Sequence, residues 1–527
     1  MQANQAIVRF LEQKGVRRIF HLPGIHTLPL NSALENSKIA VLTARHEANA
    51  AFMADGFARA SGETGVVLVT PGPGLGNIVT PCMEAHGSDV PLVFIAIEAE
   101  RKRADKGVLH GMAAPEALLS GIAKAVFVVP EAKELIAIME AAFRAASSPR
   151  KGPVALFIPY ALLDKEVHFD AGAPVPHAEK AATFDPGPIE KLLKGSERPV
   201  IVGGGGLMEE GAGAHLDALC SESSIPFLTS TRGKGALPED RNYAFGSVRG
   251  RGIARRILDG ADLVIVIGAR LRETDTKRRG VKLPRLVHID VDDRWIGRNY
   301  RLQAAAVTTD LKAAAASLRA VMKGRRSSWD MAGLAAARAK EEAALEKESE
   351  GFRIAKRLRR DIPPGTLTVW DLTLIYYWAE LYFPAYSPRT FLSPGGMSPI
   401  FYALPAAAGA RLGRPDAPCL CITGDGSFTA LSGELATLAA HKIPAVILVY
   451  NNGAYGLLEG YMRRRYGMEH TMALANPDLA RLAGAFGIKA KAATGPDELT
   501  AIFRHHVTWD ELFLIDFRYP SFPPPWE

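Results

Sequence analysis

Cysteine is scarce in this chain, which has 4 in 527 residues. So few and so scattered cysteines exclude a disulfide framework, and we expect all of them to fill apolar cores. They are Cys82, Cys220, Cys419 and Cys421. Long hydrophobic runs are also missing, because no uninterrupted apolar stretch is long enough to cross a bilayer. Since the first turns read as an amphipathic helix and not as a secretory signal, we expect a cytoplasmic protein that does not associate with membranes.

A concentrated basic surface is the second absence. The formal net charge is +7 and the pI is near 9.1, but the basic clusters begin far apart, at Arg101, Lys277, Lys356 and Arg463. No aromatic-rich strand accompanies them, as it does in many nucleic-acid-binding domains. We therefore expect no nucleic-acid partner and interpret the clusters as solvated faces with a mild attraction for anionic substrates.

Two features that the sequence does have are its length and an alternation of strand-like and helical patterns. With 48% hydrophobic residues, the chain can bury several cores. Strand-like and helical patterns alternate in three blocks, which predicts an α/β protein of three doubly wound domains with parallel sheets. We predict domains at residues 1–180, 185–325 and 361–527, a charge-rich helical linker at 326–360, and a Pro-rich boundary at Gly172–His177.

A glycine turn in the last block, Gly424–Ser427, has the sequence Gly-Asp-Gly-Ser and follows a strand-like run at Cys419–Thr423. Open α/β sheets bind ligands at the carboxyl ends of their strands. Glycines there let the backbone approach a phosphate, and the next helix offers unpaired N–H groups to an anion. We therefore predict cofactor-binding roles for Gly424, Gly426 and Ser427.

A second strand-like run, Ile443–Tyr450, ends at Asn451 and Asn452. The two strand ends together present the carboxylate of Asp425 and an amide oxygen. Mg²⁺ takes oxygen ligands and commonly joins a few protein oxygens to a diphosphate. The turn and the asparagine pair resemble the thiamin diphosphate (ThDP) binding motif. That resemblance implies three Mg²⁺ ligands: Asp425, the side chain of Asn452 and the backbone carbonyl of Ala454.

The first block carries a second resemblance. Residues 41–62 (VLTARHEANAAFMADGFARASG) and Thr70–Asn77 (TPGPGLGN) are similar to the pyrimidine-binding domain of the superfamily of acetolactate synthase, benzoylformate decarboxylase and benzaldehyde lyase. Membership implies that the first domain binds the pyrimidine of ThDP and the last domain its diphosphate. It also assigns Glu47 as the catalytic acid that shares a proton with the aminopyrimidine ring. A homodimer or homotetramer with active sites at subunit interfaces is implied as well.

The segment Pro394–Gly409 resembles the loop that bends the cofactor in this superfamily. The resemblance makes Ile400 the apolar wedge under the cofactor and makes the carbonyl of Ser398 an acceptor for the pyrimidine. A core position is the alternative for Ile400. Ser398 and Phe401 both stand where relatives usually have glycine, so we expect the detailed shape of this loop to differ.

The substrate pocket depends on two histidines. His26 falls where benzaldehyde lyase has an active-site histidine, and His110 falls where relatives usually have glutamine. An imidazole relays protons near neutral pH, so both are assigned catalytic roles, and loop hydrogen bonding is the alternative for each. The other pocket residues implied by the resemblance are apolar or aromatic: Ile25, Leu457, Leu458 and Tyr461.

These assignments predict a ThDP- and Mg²⁺-dependent enzyme that acts on a small carbonyl compound, a 2-oxo acid or 2-hydroxy ketone, through a C2-ylide and an enamine. Both histidines and the apolar pair Leu374 and Ile375 depart from the acetolactate synthase pattern. We therefore favour non-oxidative decarboxylation or carbon–carbon lyase/carboligase activity. The alternative is an acetolactate synthase-like carboligase. For that alternative, FAD binding by the middle domain is possible but not predicted.

Two hypotheses come from other classes. A catalytically silent ThDP-fold binding subunit would keep the motifs without generating the reactive carbanion. A nicotinamide-dependent dehydrogenase would use the glycines after the strand-like run at residues 198–202, but these do not fall in the Gly-x-Gly-x-x-Gly pattern.

Overall fold

The computed structural model describes residues 1–169, 185–208, 211–273, 275–276, 278, 280–308, 310–468 and 472–526. It contains three six-stranded sheets, and the strand pairs in each are parallel. Helices cover both faces of the sheets, so the predicted class of three doubly wound α/β domains is confirmed. The predicted boundary at Gly172–His177 lies outside the described residues, and the predicted domain limits stay predictions.

The N-terminal domain contains strands β1 (Arg18–His21), β2 (Ala40–Thr43), β3 (Gly65–Val69), β4 (Leu92–Glu98), β5 (Ala125–Val128) and β6 (Pro153–Pro159). Its helices are α1 (Ala3–Gln13), α2 (Leu28–Leu34), α3 (Glu47–Ser61), α4 (Pro73–Asn77), α5 (Val79–Ser88), α6 (Ala117–Ser120) and α7 (Leu135–Ser147). The strand order is β2-β1-β3-β4-β6-β5. Its central strands β3 and β4 are buried on both faces, which explains their continuous apolar sequences.

The middle domain contains strands β7 (Pro199–Gly203), β8 (Phe227–Thr229), β9 (Ala244–Ser247), β10 (Leu263–Ile267), β11 (Leu286–Asp290) and β12 (Ala304–Val307). Its helices are α8 (Gly187–Lys194), α9 (Ala212–Ser223), α10 (Ile253–Gly260) and α11 (Leu311–Met322). The order is β12-β11-β10-β7-β8-β9. Two helices follow, α12 (Met331–Glu348) and α13 (Glu350–Asp361).

The C-terminal domain contains strands β13 (Leu367–Trp370), β14 (Phe391–Leu392), β15 (Cys419–Gly424), β16 (Ala445–Asn451), β17 (Lys489–Ala493) and β18 (Leu512–Arg518). Its helices are α14 (Leu374–Tyr382), α15 (Ala403–Gly413), α16 (Asp425–Leu431), α17 (Glu434–Ala440), α18 (Gly456–Tyr466), α19 (Leu479–Ala485) and α20 (Pro496–His505). The order is β14-β13-β15-β16-β18-β17. β16 begins later than predicted because Pro444 has no N–H to donate to the ladder.

One apolar core joins the N-terminal and C-terminal domains, and it contains the contact between α3 and α15. The two helices approach backbone to backbone. A Cβ atom at Gly56 would overlap the carbonyl of Ala406, and one at Gly409 would overlap the carbonyl of Met53. Glycine at both crossing points therefore allows the two helix backbones to approach this closely.

The structure also bears on two absences noted in the sequence. All four cysteines are free and buried, so the prediction that they fill cores is confirmed. Among the described helices, none is both long enough and apolar enough to cross a membrane.

Candidate active site

Asp425 directly follows β15 and is the first residue of α16, and it is 2% exposed. Its Oδ1 accepts a hydrogen bond from the N–H of Gly426 at 3.0 Å. Its Oδ2 accepts from the N–H of Gly453 at 2.9 Å and from the side chain of Asn476 at 2.6 Å. Burial raises the pKa of Asp425, and the Asn476 hydrogen bond opposes that change. The donors to this carboxylate among the described residues are all neutral, so a cation bound here would compensate its buried charge.

Asn452 reaches the same place because β15 and β16 are neighbours. Gly424 pairs with Tyr450 across the two strands, so the chain leaving β16 runs beside Asp425. Asn452 donates through Nδ2 to Ser521 Oγ at 2.8 Å. This bond fixes the side-chain amide while using none of its oxygen's acceptor capacity.

The carbonyl of Ala454 is the third oxygen in this region. Ala454 and Ala473 form an isolated antiparallel bridge, in which the flanking Tyr455 N–H donates at 2.9 Å and the flanking Gly453 carbonyl accepts at 2.7 Å. In such a pair the opposed residues themselves exchange no hydrogen bonds, so the bridge leaves the Ala454 carbonyl unused. A carboxylate, an amide oxygen and a carbonyl fit Mg²⁺, which prefers such ligands. Within the described ranges there is no group of three His, Cys, Asp or Glu that could hold a metal instead.

The glycine turn has one position that needs glycine. A Cβ atom at Gly426 would lie 2.7 Å from the ring of Tyr455, whereas one at Gly424 would make an ordinary contact with Thr373 at 3.6 Å. Ser427 turns back toward the loop before α15, where its Oγ accepts from the N–H of Phe401 at 3.3 Å. Ser427 therefore links the diphosphate end of the site to the predicted cofactor-bending loop.

That loop contains two strained residues. Ser398 has φ 57° and Phe401 has φ 72°, both in the left-handed region. These are the two positions where the sequence resemblance has glycine, and a non-glycine residue there costs roughly 1–2 kcal/mol. Between them, Ile400 is 40% exposed, so in the single chain its side chain is not part of a core.

Asp371 anchors the downstream end of the loop. Its Oδ1 accepts from the N–H groups of Tyr402 and Ala403, each at 3.0 Å, and its Oδ2 accepts from the hydroxyl of Thr423 at 2.7 Å. Burial raises the pKa of Asp371, and these hydrogen bonds oppose the change. The start of α15 is thereby tied to the end of β15.

Glu47 is the first residue of α3, and it is 7% exposed. Asn77 donates through Nδ2 to Glu47 Oε2 at 2.9 Å. A Cβ atom at Gly74 would lie 3.2 Å from Glu47 Oε1. The glycine-rich segment Thr70–Asn77 therefore forms the wall against which this carboxyl group is held.

The two ends of the predicted site share no hydrogen bond among the described residues of one chain. No hydrogen bond between described residues joins Glu47 or Asn77 to Asp425, Asn452 or Asn476. The residues that flank Glu47 contact α17, since the N–H of Arg45 and the side-chain amide of Asn49 both donate to Glu434 Oε1, at 2.8 and 2.9 Å.

His26 and His110 are brought together. Their ring centroids are 5.5 Å apart, and Tyr160 packs edge-on against His26 at 5.6 Å. Burial lowers the pKa of His26, and the neighbouring His110 lowers it further. The Nδ1 atoms of both histidines are buried without a hydrogen-bond partner among the described residues. The two imidazoles therefore lie side by side, and each has a ring nitrogen that no other described residue uses.

The other predicted pocket residues are divided between two surfaces. Ile25 is 60% exposed beside the histidine pair. Leu458 and Tyr461 are exposed on α18, whereas Leu457 packs against the core around β15 and β16. No hydrogen bond or ring contact within the described part of the chain joins the α18 residues to either histidine.

A separate cavity of about 580 Å³ lies at the carboxyl ends of β7, β10 and β11. At its border with the N-terminal domain, Arg150, Arg232 and Arg270 all form ion pairs with Asp89. Burial opposes ionisation of Asp89, but the three guanidinium groups hold its pKa below the ordinary value. The lining holds seven Lys and Arg side chains against five Asp side chains, so its charge favours an anionic ligand such as the diphosphate of a nucleotide cofactor.

Three parallel α/β domains and an oxygen-lined strand edge in the last one define a ThDP-type enzyme. Models of the thiamine pyrophosphate enzyme family match the chain at three places: the N-terminal TPP binding domain at residues 1–118, the central domain at 188–318 and the C-terminal TPP binding domain at 371–517. The chain belongs to this family of thiamine pyrophosphate enzymes. The match of the central domain to that family leaves the dehydrogenase hypothesis without support.

Similar proteins cover nearly the whole chain. A probable acetolactate synthase large subunit of Methanocaldococcus jannaschii is 31% identical over 99% of this chain and 94% of its own length. A probable 2-ketoarginine decarboxylase of Pseudomonas aeruginosa is 32% identical over 98% and 94%. The acetolactate synthase isozyme 2 large subunit of Escherichia coli is 28% identical over 99% and 98%. The chain is therefore a ThDP-dependent enzyme of the carboligase and decarboxylase group.

Sequence reasoning missed several residues that contact the predicted ones. Asn77 and Tyr160 lie beside Glu47 and His26, and Asn476 and Asp371 lie beside Asp425 and the loop. Asn77 is the last residue of the segment Thr70–Asn77 that carries the resemblance, so the sequence offered a signal by which it could have been predicted. Asn476 is followed by Pro477 before α19, which indicates only a turn.

Proposed function

We propose that this enzyme is a ThDP- and Mg²⁺-dependent non-oxidative decarboxylase or carbon–carbon lyase/carboligase acting on a 2-oxo acid or 2-hydroxy ketone. The observation that carries this choice is the pairing of His26 with His110 at 5.5 Å, with a buried, unpartnered Nδ1 on each ring. An imidazole can both accept and donate a proton, as protonation of a substrate carbon or oxygen requires. The decarboxylase among the relatives supports the same choice.

In this proposal, bound ThDP supplies a nucleophilic carbon and an electron sink. Asp425, Asn452 and the Ala454 carbonyl hold the metal and, through it, the diphosphate, while Gly424, Gly426 and Ser427 line its approach. The remaining residues act on the other end of the cofactor.

Glu47 is oriented by the Asn77 hydrogen bond to Oε2, which leaves Oε1 to share a proton with the pyrimidine ring. Ser398 would accept from the pyrimidine through its carbonyl, and Ile400 would set the bend of the cofactor. The two histidines exchange protons with the substrate. Ile25, Leu457, Leu458 and Tyr461 would exclude water around it.

We also propose that the active site forms between two copies of the chain, in a homodimer or homotetramer. Support comes from the lack of any hydrogen bond between Glu47 and Asp425 among the described residues and from exposed apolar side chains in both groups. Ile25 is 60% exposed in one group, and Ile400 and Leu458 are 40% and 50% exposed in the other. A second copy would cover these surfaces.

The second candidate is an acetolactate synthase-like carboligase that carries FAD. It is favoured by the arginine-lined cavity of the middle domain and by the similarity to two acetolactate synthase large subunits. A flavin absorption spectrum in the protein as isolated would support this candidate, whereas a colourless protein that turns over without FAD would support the first.

The deciding experiment follows deuterium exchange at C2 of ThDP and turnover of a panel of aliphatic and aromatic 2-oxo acids and benzoin-type ketones. We expect C2 exchange, carbon dioxide or aldehyde release, and loss of ThDP binding in Asp425→Ala with the fold retained. His26→Ala and His110→Ala should keep C2 exchange and lose turnover, because they act on the substrate. A wild-type protein that binds ThDP without C2 exchange would instead be the silent binding subunit.

A further inference from the structure

Glu84 lies in the middle of α5 in the N-terminal domain, and its side chain is completely buried. Its carboxylate points into the C-terminal domain of the same chain. Oε2 accepts hydrogen bonds from three successive backbone N–H groups, those of Gly396 at 3.0 Å, Met397 at 2.7 Å and Ser398 at 3.3 Å. Oε1 accepts a further bond from Gly396 at 2.9 Å. One carboxylate therefore binds the upstream end of the loop that carries Ser398 and Ile400.

The carboxylate is itself held from the opposite side. Arg59 Nη2 donates to Glu84 Oε1 at 3.0 Å, and the hydroxyl of Ser88 donates to the same oxygen at 2.7 Å. Burial alone would lower the pKa of Arg59, but Asp55, Tyr402 and Glu84 raise it above the ordinary value. Arg59 therefore stays charged, and the orientation of Glu84 is fixed by an ion pair on α3.

The backbones also come close here. A Cβ atom at Gly87 would lie 2.7 Å from the Cα of Gly396, so α5 touches the loop directly. A buried carboxylate with this many donors is stable only while the loop stays in place, since an unpaired buried charge is costly.

The loop needs such an anchor because its backbone is strained. Ser398 and Phe401 adopt left-handed φ angles that non-glycine residues avoid. Strained residues persist where surrounding contacts over-determine the conformation, and they cluster at functional sites. Asp371 binds the downstream end at Tyr402 and Ala403, and Glu84 binds the upstream end. Ser398 and Ile400 thus lie between two buried carboxylates.

We propose that Glu84 is a positioning residue for catalysis: from the N-terminal domain it fixes the backbone at residues 396–398 and thereby sets the Ser398 carbonyl and the Ile400 side chain against the cofactor. This inference rests on the proposed function, because it assigns the loop to cofactor orientation. Glu84 itself touches neither cofactor nor substrate. Its effect is on the geometry of the bound cofactor and not on the metal-bound diphosphate.

The test compares Glu84→Gln with Glu380→Gln in the full-length holoenzyme. Glu380 is a matched control because it is also buried and paired with an arginine, Arg249, and its hydrogen bonds among the described residues go to Thr231 and Arg249 instead of to the loop. Two quantities are measured in each protein: amide hydrogen exchange of the peptide containing residues 396–398, and the rate of C2 deuterium exchange of bound ThDP together with its Kd. Glu84→Asp, which keeps the charge beside Arg59 and shortens the side chain, serves if Glu84→Gln does not fold.

In Glu84→Gln, we expect faster amide hydrogen exchange in the loop. We also expect the rate of C2 deuterium exchange to fall about 10- to 100-fold, which corresponds to the free energy lost with hydrogen bonds to a charged group. The Kd for ThDP should change far less, because Asp425 and the metal still hold the diphosphate. A purely structural role would lower binding and C2 exchange together, and Glu380→Gln should leave the loop unchanged.

The two proposals fail in different ways. Normal C2 exchange in Glu84→Gln, with active wild type, overturns the positioning role and leaves the proposed function intact. Absent C2 exchange in the wild type overturns the proposed function. Loop protection is measured independently of turnover, so an unchanged loop in Glu84→Gln overturns the anchoring role in either case.

Discussion

Asn476 donates a hydrogen bond to Asp425 Oδ2 at 2.6 Å although the two residues are 51 positions apart. The same amide group also donates to Asn451 Oδ1 at 3.3 Å. Asn476, in the segment that leads into α19, therefore joins the ends of β15 and β16. By holding one carboxylate oxygen, Asn476 limits the rotation of the side chain that is proposed to bind the metal.

We expect Asn476→Ala to weaken Mg²⁺-dependent ThDP binding about 10- to 100-fold, which is typical when a residue orienting a metal ligand is removed. The measurement is a fluorescence titration of ThDP at several Mg²⁺ concentrations. Asn36→Ala, at an exposed site far from the sheet edge in sequence, is the control. Equal affinities in both variants would show that Asn476 does not orient Asp425.

The fold was largely predictable because parallel strands buried on both faces have a continuous apolar sequence. β15 and β16 illustrate this, since their glycine and asparagine ends mark where the sheet edge begins. The boundaries were less accurate, as Pro444 shows at the start of β16. Regular elements follow local patterns, and their ends depend on which backbone groups find partners.

The site was predictable only where a residue type and a local motif coincide. Glu47 and Asp425 belong to such motifs. Asp371 and Glu84 do not, because each acts by accepting N–H groups from a loop that is distant in sequence. Such contacts are set by how α5 and β13 pack against that loop, and no local periodicity encodes them.

His21, at the end of β1, provides a pH prediction. It is 3% exposed, and burial lowers its pKa from the usual 6.5 to about 4. Because the unfolded chain binds this proton more readily, the contribution to stability is fully present above pH 6.5 and is lost as pH falls toward 4. The loss from this one group is about 3 kcal/mol over that range.

We expect His21→Gln to flatten the acid side of the stability curve between pH 6.5 and 4. Urea unfolding at several pH values gives the slope directly. His505→Gln is a suitable control, because His505 is exposed at the end of α20. If the two variants lose stability with pH in parallel, the buried imidazole is not the source.

The crossing of α3 and α15 gives a prediction about stability. A methyl group at Gly56 or Gly409 would overlap a carbonyl of the facing helix, so each Gly→Ala change should destabilise the protein by about 1–3 kcal/mol. Gly484→Ala is the matched control, since nothing lies within 4 Å of its would-be Cβ in α19. That change should stabilise the helix by up to about 1 kcal/mol. Thermal unfolding of the three variants measures this difference in stability. If the helix crossing were loosely packed, the Gly56 and Gly409 variants would be no less stable than the Gly484 variant.

The proposed active site between two copies of the chain predicts complementation between two inactive variants. Glu47→Gln and Asp425→Ala should each be inactive alone. If every active site takes Glu47 from one copy and Asp425 from the other, a mixed dimer has one site with both residues intact. Random pairing makes half of the dimers mixed, so co-expressed variants should recover about a quarter of wild-type activity.

Co-expression with differently tagged chains and purification through both tags isolates the mixed dimer and should raise the recovered activity to about half of wild type per dimer. A double variant, Glu47→Gln with Asp425→Ala on one chain, paired with wild type is the control. It spoils one required residue at each shared site and should leave no activity in the mixed dimer. If active sites instead form within single chains, the result reverses, because the first pair stays inactive and the control keeps the site on its wild-type chain.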